Sequence, residues 1–511
     1  MSTAYALTCV LAGLASAYLF STYLRRRTRY PPGPKGLPVL GNIFDVPVDY
    51  PWIGFRAHGK QLGSDVVHYE VPGMYLVVLN SLDAVGDLLE KQSNVYSDRP
   101  HSVMLEELSG WDRSWGQLDH GERWKEHRRL FDQSFRPAAV AQYHAKQARA
   151  ARRLVRFLMD APERFVEHIR FSVGALVLDT VFSFDVNPGD PVIKLVEEAA
   201  DTAIETVAAG IWMVDVIPVL KYVPAWFPGA GFQRKAEEYK TLVDGLFDIP
   251  YNRFKETMRA GDAKPCFMST LFSDLDEEGD LAQTEEIFAS LAGVTYAAGT
   301  DTIASTLVTF LFTITLFPEA QAAGHSALDG VLKGERLPEI EDRNALPYIT
   351  ALLYELLRWH PVTPVGVPHR TSADSYYGEY FIPAGTTVFG NIWAILHDET
   401  VYPEPHLFKP ERFLRADGSL NNDVREPVEG FGFGRRICPG RHFAQDMLWI
   451  TIAHVLAVFE ILPVGPAPSM GDSEDVERCF TPRFVSMPKP FECRFRIRSQ
   501  TAEGLFCDSD P

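Results

Sequence analysis

The chain has 511 residues, of which 46% are hydrophobic and 23% are charged, a composition typical of a packed globular protein. Its 67 acidic residues outnumber its 49 basic residues, and the formal net charge of −18 argues against nucleic acid as the main partner. The six cysteines have neither a paired framework nor the spacing of a zinc site or a covalent haem attachment. We therefore expect the body of the protein in a reducing compartment.

The N-terminal segment predicts a membrane anchor. Residues 4–24 contain no charged side chain and are long enough to cross a bilayer core as a helix. A run of arginines beginning at Arg25 follows, and the positive-inside rule places it in the cytosol. A cleaved signal peptide carries its charge before a shorter apolar run, so we prefer an uncleaved single-pass anchor. We expect residues 1–29 to be the anchor with its basic flank and residues 30–511 to form one cytosolic domain.

The first half of this domain combines a small β-structure with helices. The sequence Tyr-Pro-Pro-Gly-Pro at 30–34 cannot be helical and predicts a stiff hinge. Residues 66–69 and 75–79 are rich in β-branched and aromatic side chains and predict a β-hairpin. From about residue 82 the pattern becomes mostly helical. The clearest helices are predicted over residues 141–159, 190–209 (with Asp190 as N-cap) and 236–259.

The longest helix is predicted over residues 284–317, with two acidic residues in its first turn. It is apolar almost all round, so we expect it to be buried. A further helix over residues 348–360 ends before a proline. Short strands and turns, a glycine-rich loop around Cys438, another buried helix and a strand-rich tail complete the expected order.

Residues 431–440, Phe-Gly-Phe-Gly-Arg-Arg-Ile-Cys-Pro-Gly, place one cysteine in a glycine-rich loop before an apolar helix. Gly434 and Gly440 are expected to allow turns that a side chain would obstruct. Backbone N–H groups of the loop and helix can point at the Cys438 sulfur and lower its pKa, which suits a thiolate ligand. Cys438 alone would be interpreted as a structural cysteine. The spacing F-x-x-G-x-R-x-C-x-G, however, resembles the haem-binding motif of the cytochrome P450 family.

This resemblance extends from about residue 30 to the end and implies a mainly α-helical fold with a minor β-domain. It implies haem b as cofactor, with Cys438 as the axial iron ligand and Phe431, Gly434 and Gly440 in the haem-binding loop. The chain shows no flavin or nicotinamide domain, and its glycine-rich loop lacks the spacing of a dinucleotide site. The resemblance therefore implies a separate NADPH–cytochrome P450 reductase, with cytochrome b5 as a second candidate partner.

The stretch Ala-Gly-Thr-Asp-Thr at 298–302 lies in the middle of the long predicted helix. Its glycine and threonines weaken a helix, so a local opening that admits a small ligand and water is expected. The stretch matches the family's oxygen-activation motif. This match implies that Asp301 relays protons from solvent and that Thr302 delivers them to dioxygen at the haem. A kinked core helix with solvated side chains is the alternative.

Several residues match family elements that contact the haem propionates. Trp124 and Arg128 lie on one helical face and match a W-x-x-x-R element, His369 follows a Val-Pro pair, and Arg436 precedes the cysteine by two residues. Without this register, Arg128 would be interpreted as a solvated charge and His369 as a core histidine. Arg370 could take the role of its neighbour His369.

A buried ion network is predicted behind the haem loop. Glu355 and Arg358 are three residues apart on one helix face and can pair. Arg412, in the sequence Pro-Glu-Arg-Phe, is a candidate additional partner that would offset the cost of burying the pair. The family's E-x-x-R and P-x-R-F elements form such a network, so the resemblance implies a structural role for all three.

The function implied is a membrane-anchored haem-thiolate monooxygenase, most similar to microsomal enzymes of basidiomycete fungi and located at the endoplasmic reticulum. Its substrate would be a lipophilic terpenoid, steroid, polyketide or aromatic molecule of secondary metabolism or of foreign origin. Two alternatives remain. A haem-thiolate isomerase or dehydratase would need no dioxygen, and its relatives often lose the acid–threonine pair that residues 301–302 retain. A non-catalytic haem sensor would need no proton relay.

Overall fold

The computed structural model describes residues 29–207, 212–273, 280–465 and 473–499. The predicted anchor at 4–24 and most of its basic flank lie outside these residues. Within the described ranges, one helix, Leu281–Leu316, is long and apolar enough to cross a membrane, and 78% of its most apolar window is buried inside the protein. Such burial is typical of a core helix.

The described chain is mostly helical, with short 3₁₀ and π-helical turns between the main elements. The helices are α1 (Pro51–Leu62), α2 (Leu82–Val85), α3 (Glu122–Phe135), α4 (Pro137–Val140), α5 (His144–Asp160), α6 (Phe165–Phe182), α7 (Pro191–Val207), α8 (Met213–Val216), α9 (Gly231–Ala260), α10 (Phe267–Ser273), α11 (Leu281–Leu316), α12 (Pro318–Leu332), α13 (Pro347–Trp359), α14 (Ile392–Leu396), α15 (Arg441–Val458) and α16 (Ser473–Glu477). The strands are β1 (Val66–Val71), β2 (Met74–Leu79), β3 (His369–Arg370), β4 (Ser375–Tyr377), β5 (Tyr380–Ile382), β6 (Thr387–Gly390), β7 (Phe459–Pro463) and β8 (Cys493–Ile497).

The largest sheet has the order β1-β2-β6-β3. Strands β1 and β2 form the predicted antiparallel hairpin, with Val66 opposite Leu79 and Val71 opposite Met74. Strand β6 runs parallel to β2 and antiparallel to β3, so residues far apart in sequence meet at this sheet. The pairs β4–β5 and β7–β8 are separate two-stranded antiparallel sheets. The expected combination of many helices and a minor β-structure is confirmed.

The central helix α11 begins three residues earlier than predicted. The Asp280 carboxylate accepts hydrogen bonds from the backbone N–H groups of Ala282 and Gln283, which caps the helix at this point. With 36 residues, α11 is about 54 Å long and packs against α6, α7, α9 and α15. The expected local opening at 298–302 is not seen, because helical structure continues through this stretch. The Thr302 hydroxyl instead donates to the Ala298 carbonyl at 2.8 Å.

The start of one other helix follows a simple capping rule, and the start of another differs from the prediction. Helix α7 begins at Pro191, and the Asp190 carboxylate accepts from the Val192 N–H at 2.9 Å, as predicted. Helix α9 begins five residues before its predicted start, at Gly231.

The cysteine loop is fixed to the main sheet by close packing. The Phe433 ring lies against Gly390 at the end of β6, where an added Cβ would come within 2.4 Å of the ring. Phe433 belongs to a buried cluster that also contains Leu89, Val388 and Ile392. This cluster holds the loop at one side of α11, and the site lies between them.

Candidate active site

A cavity of about 530 Å³ lies between α11, the cysteine loop and β6. Most of the residues predicted for the site lie in its wall: Trp124, Arg128, Asp301, Thr302, His369, Phe431, Arg436, Cys438 and Gly440. These residues span more than 300 positions of sequence. The tertiary fold therefore brings the predicted thiol, the acid–threonine pair and the predicted cations to one space.

The loop around Cys438 is closed by a hydrogen bond from the Cys438 N–H to the Phe431 carbonyl at 2.8 Å. Gly434 has φ +54°, and an added Cβ there would come 2.1 Å from the Leu89 carbonyl oxygen, so this position requires glycine. Gly440 differs, because its φ is −87° and its Cβ position has no protein atom within 4 Å among the described residues. Neither the backbone conformation nor the described protein atoms require glycine at 440, a position that lines the cavity. The Gly440 N–H instead hydrogen-bonds the Cys438 sulfur.

The Cys438 thiol is subject to opposing influences. Burial is the largest of them and raises its pKa, whereas the Gly440 N–H and the charges of Arg128 and Arg441 act to lower it without cancelling the effect of burial. The predicted lowering by a backbone N–H group is therefore present, but burial outweighs it in the free thiol. A coordinating metal deprotonates a thiol outright, so an iron at the sulfur would itself generate the thiolate.

Two buried guanidinium groups form a positive wall of the cavity. Arg436 donates from Nε to the Ser97 carbonyl at 2.7 Å and from Nη2 to the Leu118 carbonyl, and it lies over the Trp124 ring at 4.6 Å. Arg99 donates to the carbonyls of Pro368 at 2.6 Å and of Val367 at 3.2 Å. Within the described part of the chain, neither guanidinium forms an ion pair with a carboxylate.

Both arginines are therefore buried positive charges whose side-chain hydrogen bonds, among the described residues, go to backbone carbonyls. Burial and the nearby Arg436 charge hold the pKa of Arg99 well below its usual value, and burial lowers the pKa of Arg436 to about 10. Buried charges are costly unless they are paired. The two propionates of a haem would supply the missing anions, so these side chains fit the cofactor. No sequence motif marked Arg99, whose contribution depends on a contact across 268 residues.

The other predicted propionate contacts lie in the same wall but have further partners. Arg128 donates to the Ile437 carbonyl at 2.8 Å, which ties α3 to the cysteine loop, and to Asp132 at 3.1 Å. His369 donates from Nδ1 to the Tyr96 carbonyl at 2.7 Å. Burial, reinforced by the Arg99 charge, lowers the pKa of His369 to about 3, so the ring is neutral. Arg370, the alternative to His369, pairs at 2.7 Å with Asp119 outside the cavity.

The predicted ion network is present in the geometry. Glu355 and Arg358 are both fully buried, and the Glu355 carboxylate accepts from Arg358 at 2.7 and 2.8 Å. It also accepts from the Arg412 Nε at 2.9 Å and the Lys409 N–H at 2.8 Å, so each carboxylate oxygen has two donors. Arg358 also donates to the Leu396 and Leu407 carbonyls, which joins α13 to the segment leading to the cysteine loop.

The acid–threonine pair faces the cavity from α11. The Asp301 side chain is 18% exposed and lies 3.6 Å from the Arg170 guanidinium of α6. Burial raises the pKa of Asp301, and the Arg170 charge opposes this shift. Arg170 is a second residue that sequence reasoning missed, because nothing in the sequence of α6 indicates which face meets α11.

Comparisons with known proteins agree with this site. The Cytochrome P450 family model matches residues 31–493. Tryptamine 4-monooxygenase of Psilocybe cyanescens is 38% identical, over 96% of this chain and 97% of the relative. The cytochrome P450 monooxygenases ple1 of Rhodocybe pseudopiperita and eriA of Hericium erinaceus are 37% and 38% identical, each over 97% of this chain and over 95% and 93% of their own lengths. The chain therefore belongs to the cytochrome P450 family and is a cytochrome P450 monooxygenase.

Proposed function

We propose that this protein takes electrons from NADPH through a separate reductase and inserts one oxygen atom of dioxygen into a lipophilic small molecule. The observation that carries this proposal is that Cys438, the Asp301–Thr302 pair and a largely apolar wall share one cavity. Thiolate ligand, proton donor and substrate space are the three parts that such a reaction requires.

Each side chain has a defined task in this proposal. Haem bound by Cys438 would supply the redox-active iron at which dioxygen is reduced. Arg99 and Arg436 would hold its propionates and thereby orient it. Asp301 takes protons from the solvent side of α11, and the Thr302 hydroxyl passes them into the cavity. The wall is largely apolar, so we expect these side chains rather than bulk water to deliver most of the protons.

A lipophilic substrate fits the cavity best. Its wall contains Trp111, Trp115, Phe131 and Phe484 together with aliphatic side chains. Asp215, an acid in this wall, accepts from the Ser102 hydroxyl and the Met104 N–H at 3.0 Å each, both at its Oδ1 atom. We therefore propose a terpenoid, steroid, polyketide or aromatic substrate. A role in fungal secondary metabolism is supported by the basidiomycete monooxygenases that resemble this chain.

We also propose that the protein is held at the endoplasmic reticulum membrane with its body in the cytosol. Two segments expose large apolar side chains: Leu37, Val39, Phe44 and Val48 in one, and Met213, Val219, Tyr222, Trp226 and Phe227 in the other. The turn between β1 and β2 lies between these segments. Near one side of this turn the Asn42 N–H donates to the Glu70 carbonyl at 2.6 Å, and on the other the Cβ position of Gly73 lies 4.0 Å from the Val216 oxygen.

Exposed apolar surface of this kind favours contact with a membrane. Protein lacking residues 1–29 is therefore expected to sediment with vesicles of neutral phospholipid, and Trp226→Asp should weaken this binding. Glu237→Gln, an exposed change on α9, is the control. Equal sedimentation of the Trp226→Asp and control proteins would show that this surface does not contact lipid.

The reaction type is tested by product analysis with a fungal reductase. A panel of terpenoids, steroids and polyaromatics is incubated with the membrane-bound protein, with and without NADPH. A product heavier by one oxygen that forms only with NADPH is expected. A product formed equally well without NADPH would identify the isomerase or dehydratase alternative. Haem binding without NADPH consumption across substrates would favour the sensor.

The role of Thr302 has a separate test with a matched control. Thr302→Ala should lower the product formed per NADPH consumed, because protons reach the cavity less reliably and reduced oxygen is released instead. Thr309→Ala removes the same type of hydroxyl-to-carbonyl bond from the same helix, at 2.8 Å to Ser305, and should leave this ratio unchanged. Equal ratios in the two variants would exclude proton delivery by Thr302.

A further inference from the structure

A second, small cavity lies behind Asp301, between α6, α7 and α11. Its volume of about 10 Å³ is close to what one water molecule needs. Among the described residues, Ala200, Ala297 and Asp301 are the ones that line both this cavity and the large one. Asp301 is the ionisable member of the three. The Asp301 carboxyl group therefore lies between the large cavity and the small one.

The remaining charged side chains of the small cavity form a graded series. Glu197 and Asp201 are four residues apart on α7, so they lie on one face of that helix. Asp201 is exposed, Glu197 is half-buried, and Asp301 is the most buried of the three acids. Arg170 completes the wall from α6. The acids thus run from solvent to the interior across a helix–helix interface.

The electrostatics of this series suit proton exchange. Burial raises the pKa of Glu197, Asp201 and Asp301, and the Arg170 charge opposes the shift at each of them. Carboxyl groups transfer protons best when their pKa values lie nearer the working pH, and the raised values move in that direction.

Other charged groups near these acids also shift their pKa values. The Arg483 charge lowers the pKa of Asp201, whereas Glu198 and Glu205 raise it. Glu198 also raises the pKa of Glu197. Burial raises the pKa of the Tyr296 hydroxyl on α11, and the Glu197 charge adds to this shift.

We propose that Glu197 and Asp201 are the outer part of the proton path to Asp301, that a water molecule in the small cavity joins their carboxyl groups, and that Arg170 positions Asp301. This inference rests on the proposed monooxygenase function and extends it to residues outside the acid–threonine motif. Asp201 takes a proton from bulk water, Glu197 receives one and releases one inward, and Asp301 does the same toward Thr302. Each carboxyl group returns to its starting state once for every proton that the reaction consumes.

The first test uses the resting protein without reductase or substrate. The Asp301 carboxyl is titrated by infrared spectroscopy and assigned as the band lost in Asp301→Asn. Asp201→Asn removes a negative neighbour, so the pKa of Asp301 should fall. Glu237→Gln on α9 is the control, because Glu237 is exposed and does not line the small cavity. An Asp301 titration that is the same in Asp201→Asn and wild type would overturn the proposed connection.

The second test uses turnover with a substrate found in the product screen. In Glu197→Gln, product formation should fall by about tenfold, less than the full 10²–10⁴-fold effect of a general acid because water can partly replace the carboxyl. The slowing on transfer to D₂O should increase, Glu197→Asp should recover part of the rate, and Glu237→Gln should behave as wild type. A wild-type rate and isotope effect in Glu197→Gln would overturn the path. If the proposed function is wrong, the wild-type enzyme forms no NADPH-dependent product. In that case the infrared titration of Asp301 still tests whether Asp201 is connected to it.

Discussion

Replacing Glu355 by glutamine tests what holds the protein together behind the cysteine loop. The side chain keeps its shape, but one carboxylate oxygen becomes an NH₂ group. Both carboxylate oxygens of Glu355 accept two hydrogen bonds, so two of the four donors lose their acceptor and face a donor instead. Arg358, which is fully buried, then lacks its neutralising charge.

The cost can be worked out from these contacts. Two lost bonds to a charged group, at about 1.5–3 kcal/mol each, amount to about 3–6 kcal/mol. Removing one partner of a buried ion pair typically destabilises a protein by about 3–5 kcal/mol, which agrees with this figure. For a chain of 511 residues the unfolding entropy is about 1 kcal/mol/K, so the unfolding midpoint should fall by about 3–5 °C.

The assay is thermal loss of the reduced carbonyl spectrum, which reports the folded haem site. Glu404→Gln is the control, because Glu404 forms an exposed pair with the Lys409 ammonium group at 2.6 Å and should cost less than about 1 kcal/mol. Arg358→Met should be as costly as Glu355→Gln, and the double variant should cost clearly less than the two costs added together. Equal midpoints for Glu355→Gln and Glu404→Gln, or additive costs in the cycle, would refute the reasoning.

Three further predictions concern the cysteine loop and the effect of pH. Cys438→Ala should abolish the thiolate-type carbonyl spectrum, and its persistence would exclude Cys438 as ligand. Gly434→Ala should reduce haem retention, because the new Cβ would clash with the Leu89 carbonyl oxygen. Gly430→Ala is the control and should retain haem normally, because the atom nearest to its new Cβ is 3.6 Å away. Equal haem retention in the two variants would contradict the steric argument. Burial lowers the pKa of His454 to about 4, so below about pH 6.5 the unfolded state takes up a proton that the folded state does not. The contribution of His454 to the free energy of unfolding should therefore drop by about 2 kcal/mol between pH 7 and pH 5. Urea unfolding of wild type and His454→Gln checks this, since the variant should lose that part of the pH dependence.

Much of the site followed from local spacing. The motif around Cys438, the pair at 301–302 and the i,i+3 spacing of Glu355 and Arg358 are short patterns, and each specifies a turn or a helix face within about ten residues. Their order along the chain indicated the family, which the comparisons confirm. The hairpin and the main helices were predicted for the same reason, because strand and helix periodicity are local properties.

Properties that depend on the whole fold could not be predicted from local patterns. The pKa of the Cys438 thiol is raised on balance, because burial by the whole fold outweighs the lowering by the loop N–H group that the sequence predicted. Gly440 occupies an ordinary backbone conformation, and α11 remains helical at 298–302 because its neighbours pack along its length. Backbone strain and desolvation are set by atoms distant in sequence, so residue spacing does not report them.

The sequence by itself determined the thiolate loop, the acid–threonine pair and the Glu355–Arg358 pair, since each is encoded within a single turn or helix. Only the tertiary structure decided that Arg99 joins Arg436 as a second buried cation and that Arg170, Glu197 and Asp201 surround the outer side of Asp301. These groups meet through the packing of separate helices and loops, and a helix of given sequence can present the same face to many neighbours until the whole core has formed.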